Sequence, residues 1–232
     1  MDYDARTVLH IGFHKTGTSS IQAFLGRNRA ELLLEDYQFY RGDPAADNHV
    51  ELHGAAMRPG RLSTFRHLHA GRLGFDDAYR AAVAGRLAAF AADARGRRLL
   101  FSAEGLSLLR HDDEVTWLRD QLPGPVQIIA ALRAPHAYRD SYIAELGRIA
   151  LPLPPPAVDD FHYIAPDSWL WDYETRLAPW RRVFGAEAVK VLDYDAETAR
   201  HGSMVPAFLE VLGVKDRFTP DTWEDIFLNR RG

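Results

Sequence analysis

The chain contains no cysteine and no long apolar run. The absence of cysteine excludes disulfide bonds, zinc–thiolate sites and thiol nucleophiles, so any nucleophile or base must be another residue type. No apolar segment approaches the ~18 residues of a membrane-spanning helix, which predicts that there is no integral membrane segment. The first residues, Met-Asp-Tyr-Asp-Ala-Arg, also lack the basic and apolar regions of a signal peptide. We therefore expect a cytoplasmic protein.

A strong excess of charge is absent as well, since 28 Lys and Arg residues stand against 32 Asp and Glu residues, giving a net charge of −4. This balance gives no general attraction for nucleic acid, so an anionic ligand would have to be held by local arginines and backbone amides. With 232 residues, 47% of them hydrophobic, the chain is long enough to bury its own core. We expect one domain over residues 1–232, and a homodimer is compatible with these features.

What is present is an alternation of short apolar segments with segments of helical periodicity. The periodicity predicts strands at residues 8–13, 37–40, 97–102, 126–132 and 188–192. It predicts five helices with both bounds, at residues 48–57, 76–95, 112–121, 169–184 and 204–212, and Asn48 is expected to cap the first of these. It also predicts a helix after the first strand that ends at residue 34 and another that starts at residue 135. Residues 58–74 show little periodicity and predict a long loop or a short irregular helix. The alternation predicts an α/β fold of three layers, α/β/α, with a central parallel sheet of about five strands like that of P-loop NTPases.

Residues 7–25 run from a short apolar strand through the turn Lys-Thr-Gly-Thr-Ser-Ser into an amphipathic helix. Gly17 allows a backbone conformation that is closed to other residues, so successive N–H groups from Gly17 to Ser20 can point inward. An anion there would gain these donors, the positive end of the helix and the ammonium group of Lys15. The alternative is that Thr18 merely caps the helix and Lys15 is solvated. The residues predicted to contact the anion are Lys15, Thr16, Gly17, Thr18, Ser19 and Ser20.

A second segment, Leu-Arg-Ala-Pro-His-Ala-Tyr-Arg-Asp-Ser-Tyr at residues 132–142, places an arginine at a strand end and a serine eight residues later in a helix. Arg133 offers a fork of N–H donors to a phosphate, and Ser141 adds a hydroxyl group from the helix. The alternative is an arginine at a sheet edge and a serine on a solvated helix face.

Together the two segments resemble the cofactor site of sulfotransferases that use 3′-phosphoadenosine 5′-phosphosulfate (PAPS). The order Lys-x-Gly-Thr after a strand resembles their 5′-phosphosulfate loop, and it differs from a Walker A sequence, in which lysine directly follows the second glycine. Arg133 and Ser141 have the spacing of their 3′-phosphate site. The resemblance implies PAPS as the cofactor, 3′,5′-adenosine diphosphate as the product and no metal. It also implies transfer of a sulfuryl group to a hydroxyl or amine of a small-molecule, carbohydrate or lipid acceptor, with Lys15 neutralising charge on the bridging oxygen.

Two features depart from the family pattern. Ser20 stands where cytosolic members place a tryptophan against adenine, so adenine stacking must come from elsewhere. Arg230 and Arg231 resemble part of a basic segment that closes over the 3′-phosphate in the family, but the rest of that motif is not present.

The catalytic base is predicted to be Glu104, because Leu-Leu-Phe-Ser-Ala-Glu ends a buried strand at the edge where open α/β sheets keep their sites. The alternative is that Glu104 forms an ion pair with Arg133 or Lys15.

His49, Glu51 and His53 are the other candidates for the base. The two histidines lie one helical turn apart and lack a third ligand in the motif, which favours hydrogen-bonded or solvated imidazoles over a metal site. The acceptor is expected to bind between the loops at residues 41–75 and 145–170.

Two other functions remain open from the sequence. One is a P-loop kinase of a small metabolite, which would need lysine after the glycine and an acidic residue for magnesium. The other is a non-catalytic nucleotide-binding module, in which the phosphate loops would be kept and the base would be dispensable.

Overall fold

The computed structural model describes residues 5–149, 152–224 and 226. Within these residues five parallel strands form one sheet in the order β2-β3-β1-β4-β5. The strands are β1 (Thr7–His10), β2 (Tyr37–Phe39), β3 (Arg98–Ser102), β4 (Val126–Leu132) and β5 (Val189–Asp193). The predicted parallel sheet is confirmed.

Helices connect the strands and cover both faces of the sheet. They are α1 (Thr18–Arg27), α2 (Arg29–Leu34), α3 (Val50–Ala56), α4 (Thr64–His69), α5 (Asp77–Asp93), α6 (Asp112–Asp120), α7 (Pro135–Leu146), α8 (Tyr173–Phe184), α9 (Tyr194–His201), α10 (Val205–Leu212) and α11 (Asp221–Glu224). Short 3-10 turns lie at Glu104–Leu108, Trp169–Trp171, Ala186–Ala188 and Lys215–Arg217. No helix in the described part of the chain is both long and apolar enough to cross a bilayer.

The strands bury side chains on both faces because successive residues of a strand point in opposite directions. Along β1, Val8 joins the apolar cluster that includes α1 and α10, whereas Leu9 joins the cluster that includes α5, α6 and α8. Both side chains are almost fully buried. The predicted three-layer α/β/α architecture is confirmed.

Several predicted helix boundaries are wrong, and local capping explains them. The first helix breaks at Asn28, whose side-chain Nδ2 donates to Phe24 O at 2.8 Å and so ends α1. Residues 169–184 are divided at Asp172, because its carboxylate accepts the Thr175 N–H at 3.1 Å and starts α8 anew. Helix α3 begins after His49, and Asn48 does not cap it. Residues 58–74 contain the regular helix α4, and α9 was not predicted at all.

The order of the strands positions the site. β1 lies between β3 and β4, and His10 pairs with Ser102 on one side and with Ile129 on the other. Because all three strands are parallel, the segments that follow them leave the sheet at the same edge. Residues 11–20, 103–108 and 133–141 therefore meet at the carboxyl ends of the strands, where open α/β sheets bind ligands.

Candidate functional site

The loop after β1 has the strained geometry expected of an anion-binding turn. Gly17 has φ 80° and ψ 10°, a left-handed conformation, and Lys15 also has a positive φ of 63°. The positive φ favours glycine at this position, and a Cβ there would also crowd Met204, whose Cγ would lie 3.0 Å away. The Thr16 hydroxyl donates to Phe13 O at 2.5 Å, which closes the loop on itself.

The loop offers backbone donors, but fewer than its sequence suggests. Ser20 and Ile21 both donate their N–H groups to Gly17 O, at 3.1 and 3.2 Å, so the Ser20 amide is engaged inside the helix. Among the described residues none accepts from the amides of Gly17, Thr18 and Ser19, which lie in the first turn of α1. The hydroxyls of Thr16 and Thr18 are buried and turn toward Phe13 O. We therefore place three amides of this loop, and no threonine hydroxyl, within reach of an anion.

Lys15 is neither solvated nor paired with Glu104. Its Nζ donates to Glu145 Oε2 at 3.0 Å, and Arg148 donates to the same oxygen at 2.9 Å. Partial burial raises the pKa of the Glu145 carboxyl, but the hydrogen bond from Lys15 and the two nearby cations outweigh burial and leave the pKa lowered. Lys15 is thus held over α7. The sequence did not reveal this pair because its members are 130 residues apart.

Arg133 and Ser141 come together as their spacing predicts. Arg133 Nη1 donates to Ser141 Oγ at 3.1 Å, its Nε is buried without a hydrogen-bond partner, and its guanidinium lies 5.2 Å from the ring centroid of Tyr194. The backbone around it is fixed, since Tyr173 Oη donates to Arg133 O at 2.9 Å and Asp195 Oδ2 accepts the Ala134 N–H at 2.7 Å. Asp195 Oδ1 lies 3.8 Å from Arg133 Nε, so the guanidinium has an ion-pair partner, while its Nε makes no hydrogen bond and can still donate to a further acceptor.

Helix α7 links the two elements that the sequence predicts to bind phosphate groups. Ser141 and Glu145 are one helical turn apart, so they lie on the same face of the helix. One contacts Arg133 and the other contacts Lys15. The two predicted phosphate contacts therefore converge on a single surface of α7.

Glu104 begins the 3-10 turn after β3, where the sequence placed it at the sheet edge. Its carboxylate makes no hydrogen bond or ion pair with any described residue, so the alternative of a pairing with Lys15 or Arg133 is not observed. It lines a cavity of about 280 Å³ together with His14 and His53. The ring of His53 packs directly on Gly105, where a Cβ would lie 2.3 Å from Nδ1. The role of Glu104 as the base stays a prediction.

Two histidines in this cavity carry unpartnered buried nitrogens. His53 Nε2 is 3.0 Å from Ser63 Oγ, which leaves its Nδ1 free, and His14 Nδ1 is likewise buried without a partner. Burial lowers the pKa of His53 to about 3. Burial also lowers the pKa of His14, although the carboxylate of Glu104 opposes that shift. Sequence reasoning missed His14, and its position directly before Lys15 was the available signal.

The remaining candidates for the base lie outside the cavity. Both ring nitrogens of His49 are used, since Nε2 is 3.0 Å from Tyr40 O and Nδ1 accepts the Ser102 N–H at 3.0 Å. Glu51 is buried, accepts the Asp43 N–H at 3.0 Å, and has its pKa raised to about 7 by burial. Neither residue contributes to the lining.

No group of three or more potential metal ligands occurs among the residues that the structure describes. The two predicted tail contacts, Arg230 and Arg231, lie outside those residues.

Comparison with protein-family models finds no match for the chain, and comparison with curated proteins finds none either. Among solved structures, the fold is similar to that of a sulfotransferase from Alicyclobacillus acidocaldarius, with a TM-score of 0.56. The sequences are 20% identical, and the match covers 97% of this chain and 85% of that one. At this identity the likeness shows the fold alone.

Proposed function

We propose that this chain is a PAPS-dependent sulfotransferase. The observation that carries the proposal is the pairing of Arg133 with Ser141 on the same face of α7 as Glu145, which holds Lys15. This arrangement sets a guanidinium and an ammonium group beside a glycine loop with unengaged amides. Such donors suit a ligand with phosphate groups at two separated positions.

The residues fit the cofactor on structural grounds. The loop around Gly17 offers three amides to a 5′-phosphate, and a Cβ at Gly17 would crowd the Met204 side chain. Arg133 Nε, which lies 3.8 Å from Asp195 Oδ1 but makes no hydrogen bond, and the Ser141 hydroxyl suit the 3′-phosphate. The Tyr194 ring lies 5.2 Å from the Arg133 guanidinium and 3.5 Å from the Cβ position of Gly17, so it is an aromatic surface close to both proposed subsites. We assign the stacking of adenine to Tyr194, because Ser20 has no aromatic ring.

When bound, PAPS supplies the sulfuryl group, whose bond to the 5′-phosphate oxygen breaks as a bond to the acceptor oxygen forms. Lys15 stabilises the negative charge that develops on the departing phosphate oxygen. Glu104 accepts the proton of the acceptor hydroxyl. His14 and His53, which burial keeps neutral, can each present a ring nitrogen to the same hydroxyl group.

Calorimetry with 3′,5′-adenosine diphosphate in the presence of EDTA tests the proposal. We expect binding without magnesium, and we expect Arg133→Ala to weaken it about 10- to 100-fold, because a hydrogen bond to a charged group contributes ~1.5–3 kcal/mol. Arg119→Ala, which removes an equally charged side chain from the far end of α6, is the matched control and should leave the affinity unchanged. Equal affinity in the wild-type protein and in Arg133→Ala would overturn the 3′-phosphate assignment.

The same measurements separate the two other functions. Magnesium-dependent binding of ATP, with none of 3′,5′-adenosine diphosphate, would support a P-loop kinase, although lysine precedes the glycine in this loop. Tight binding of 3′,5′-adenosine diphosphate without transfer from labelled PAPS to any hydroxyl or amine would support a non-catalytic module.

A further inference from the structure

The cavity that contains Glu104 has mainly apolar walls. Its lining comes from the loop after β1, from the segment before α3, from α3 and α4 with the residue before α4, and from the turn that follows β3. The apolar members are Pro44, Ala45, Val50, Phe65, Leu68 and Leu108. Its volume is about 280 Å³, close to the ~300 Å³ at which the usual range of small-molecule sites begins. The cavity therefore suits a compact ligand.

The polar side chains of the lining are His14, Asn48, His53, Ser63, Thr64, His69 and Glu104. Three of their buried atoms have no hydrogen-bond partner, namely His14 Nδ1, His53 Nδ1 and Asn48 Oδ1, and the Glu104 carboxylate is also without a partner among the described residues. Ser63 Oγ is already engaged by His53 and by the Arg66 N–H. The unpartnered atoms near Glu104 can satisfy one hydroxyl group, while Thr64 and His69 supply the polar side chains of the α4 wall.

No lysine or arginine lines the cavity, and Glu104 is its one carboxylate. The buried arginines nearby are engaged elsewhere. Arg66 donates to the carbonyls of Gly54 and Met57, and Arg176 donates to Ser107 O and Tyr138 Oη. An anionic ligand would therefore meet a carboxylate with no compensating cation, which disfavours its entry.

The cavity also adjoins the proposed sulfuryl site. His14 belongs to its lining and directly precedes Lys15 in the loop, and Glu104 follows the strand next to β1. A hydroxyl group placed between His14 and Glu104 is thus close to Lys15, the residue proposed to stabilise the departing phosphate oxygen.

We propose that this cavity is the acceptor site and that it takes a compact, uncharged alcohol or phenol with a largely apolar body. The proposal rests on the proposed function and narrows its acceptor from any hydroxyl or amine compound to this class. Glu104 accepts the hydroxyl proton, and the walls from α3 and α4 contact the apolar body.

Three phenols of one size test the charge selection directly: 4-hydroxyphenylacetamide, 4-hydroxyphenylacetate and tyramine. Their binding to the whole chain is measured by ligand-observed NMR without nucleotide at pH 8, where an ordinary imidazole is uncharged. We expect the neutral amide to bind at least tenfold more tightly than the carboxylate. Equal binding of the carboxylate, tenfold tighter binding of tyramine, or no binding of any of the three overturns the proposal.

A charged residue introduced into the wall of the cavity tests whether the phenols bind there. Leu68→Arg adds a cation at a partly exposed lining position and should raise the affinity for 4-hydroxyphenylacetate at least tenfold. The matched control is Leu34→Arg, at an exposed leucine outside the cavity, and it should change nothing. Circular dichroism establishes that both variants fold. Unchanged binding in a folded Leu68→Arg protein means that the phenols bind elsewhere and the assignment is wrong.

The two proposals fail separately. If the three phenols bind with equal affinity while 3′,5′-adenosine diphosphate still binds, only the assignment of the acceptor site is wrong. The other case is a chain that selects the neutral phenol and responds to Leu68→Arg as expected, yet fails to bind 3′,5′-adenosine diphosphate. That result would overturn the sulfotransferase function and leave the cavity as a site for neutral phenols.

Discussion

Glu104 is the residue on which the chemistry depends in the proposed function. Its carboxylate is unpaired among the described residues and faces a cavity with two neutral imidazoles. Glu104→Gln keeps the shape and removes the basicity, so we expect kcat to fall about a hundredfold or more, the scale of general-base catalysis. The affinity for 3′,5′-adenosine diphosphate should stay nearly constant. Steady-state rates with labelled PAPS measure the first quantity and calorimetry the second.

The outcome that contradicts this role is wild-type turnover in Glu104→Gln combined with its loss in His53→Ala. The base would then be His53. His49→Ala and Glu51→Gln are informative comparisons, because the structure places both side chains in hydrogen bonds away from the cavity.

In the proposed function, Glu145 competes with the bound nucleotide for Lys15, to which it is hydrogen-bonded. The Lys15–Glu145 pair is partly exposed, with 26% and 46% of the two side chains accessible, and such pairs contribute ~0.2–1 kcal/mol. Glu145→Gln should therefore tighten the binding of 3′,5′-adenosine diphosphate by about 1.5- to 5-fold, because Lys15 no longer has to leave a carboxylate. Glu187→Gln makes the same change of charge at an exposed residue near β5 and should have no effect. Weaker binding in Glu145→Gln would mean that Glu145 positions Lys15 instead of competing for it.

At the scale of elements, the turn into α1 depends on Gly17. Alanine there would have to adopt φ 80° and would lie 3.0 Å from Met204 Cγ, so both backbone strain and a close contact oppose it. We expect Gly17→Ala to lower the free energy of unfolding by ~1–3 kcal/mol and to abolish measurable nucleotide binding.

Gly202→Ala is the control for strain alone. Gly202 has φ 70° at the end of α9, with open space around its Cβ position. This variant should lose ~1–2 kcal/mol of stability and keep the nucleotide affinity. Urea unfolding and calorimetry on both variants decide the matter, since equal binding in the two would show that the loop around Gly17 does not hold the anion.

The elements that sequence reasoning predicted well have either a strong apolar run or strong helix formers. β4 is apolar on both faces and pairs with β1 and β5, and α5 is alanine-rich and buries Val83 and Leu87, which lie one turn apart. The boundaries that it missed depend on single capping side chains. Asp172 divides a segment that is otherwise continuous in hydrophobic period, and Asp193 accepts the Ala196 N–H at 3.0 Å to start α9.

In the candidate site, too, some contacts could be predicted from the sequence and others could not. Arg133 and Ser141 were predictable because a strand end and the helix that follows it fix their separation. The Lys15–Glu145 pair and the position of His14 in the cavity could not be predicted, because they depend on how α7 and α3 pack against the loop after β1. Spacing along the chain carries no information about contacts between distant segments.

At the scale of the whole molecule, buried histidines govern the pH dependence of stability. Burial lowers the pKa of His10, His49 and His53 to about 3 each, whereas a histidine in the unfolded chain titrates near 6.5. Below about pH 6.5 the unfolded chain binds protons that the folded chain does not. Each histidine therefore lowers the free energy of unfolding by up to ~1.4 kcal/mol per pH unit as the pH falls.

Glu51 acts in the opposite direction. Burial raises its pKa to about 7, so the stability that its protonated form contributes is complete at low pH and is lost as the pH rises through 7. Three histidines outweigh one carboxyl group, so urea unfolding should give a lower free energy at pH 5 than at pH 7.5. Glu51→Gln should make the decrease toward acid steeper. Stability that is equal or greater at pH 5 would contradict the burial of these histidines as neutral groups.

The place of β1 between β3 and β4 divides the carboxyl edge into two parts that different stretches of the chain encode. The stretch after β1 and residues 133–141 hold most of the residues proposed for the nucleotide, whereas residues 44–69 and the turn after β3 form most of the cavity wall, to which the loop after β1 adds His14. Apart from His14, the two sets are far apart in the sequence, so most substitutions in one leave the other unaltered. In the proposed function, a descendant of this chain could change its acceptor while keeping its nucleotide site, and exchange of residues 44–69 between related proteins is the corresponding engineering experiment.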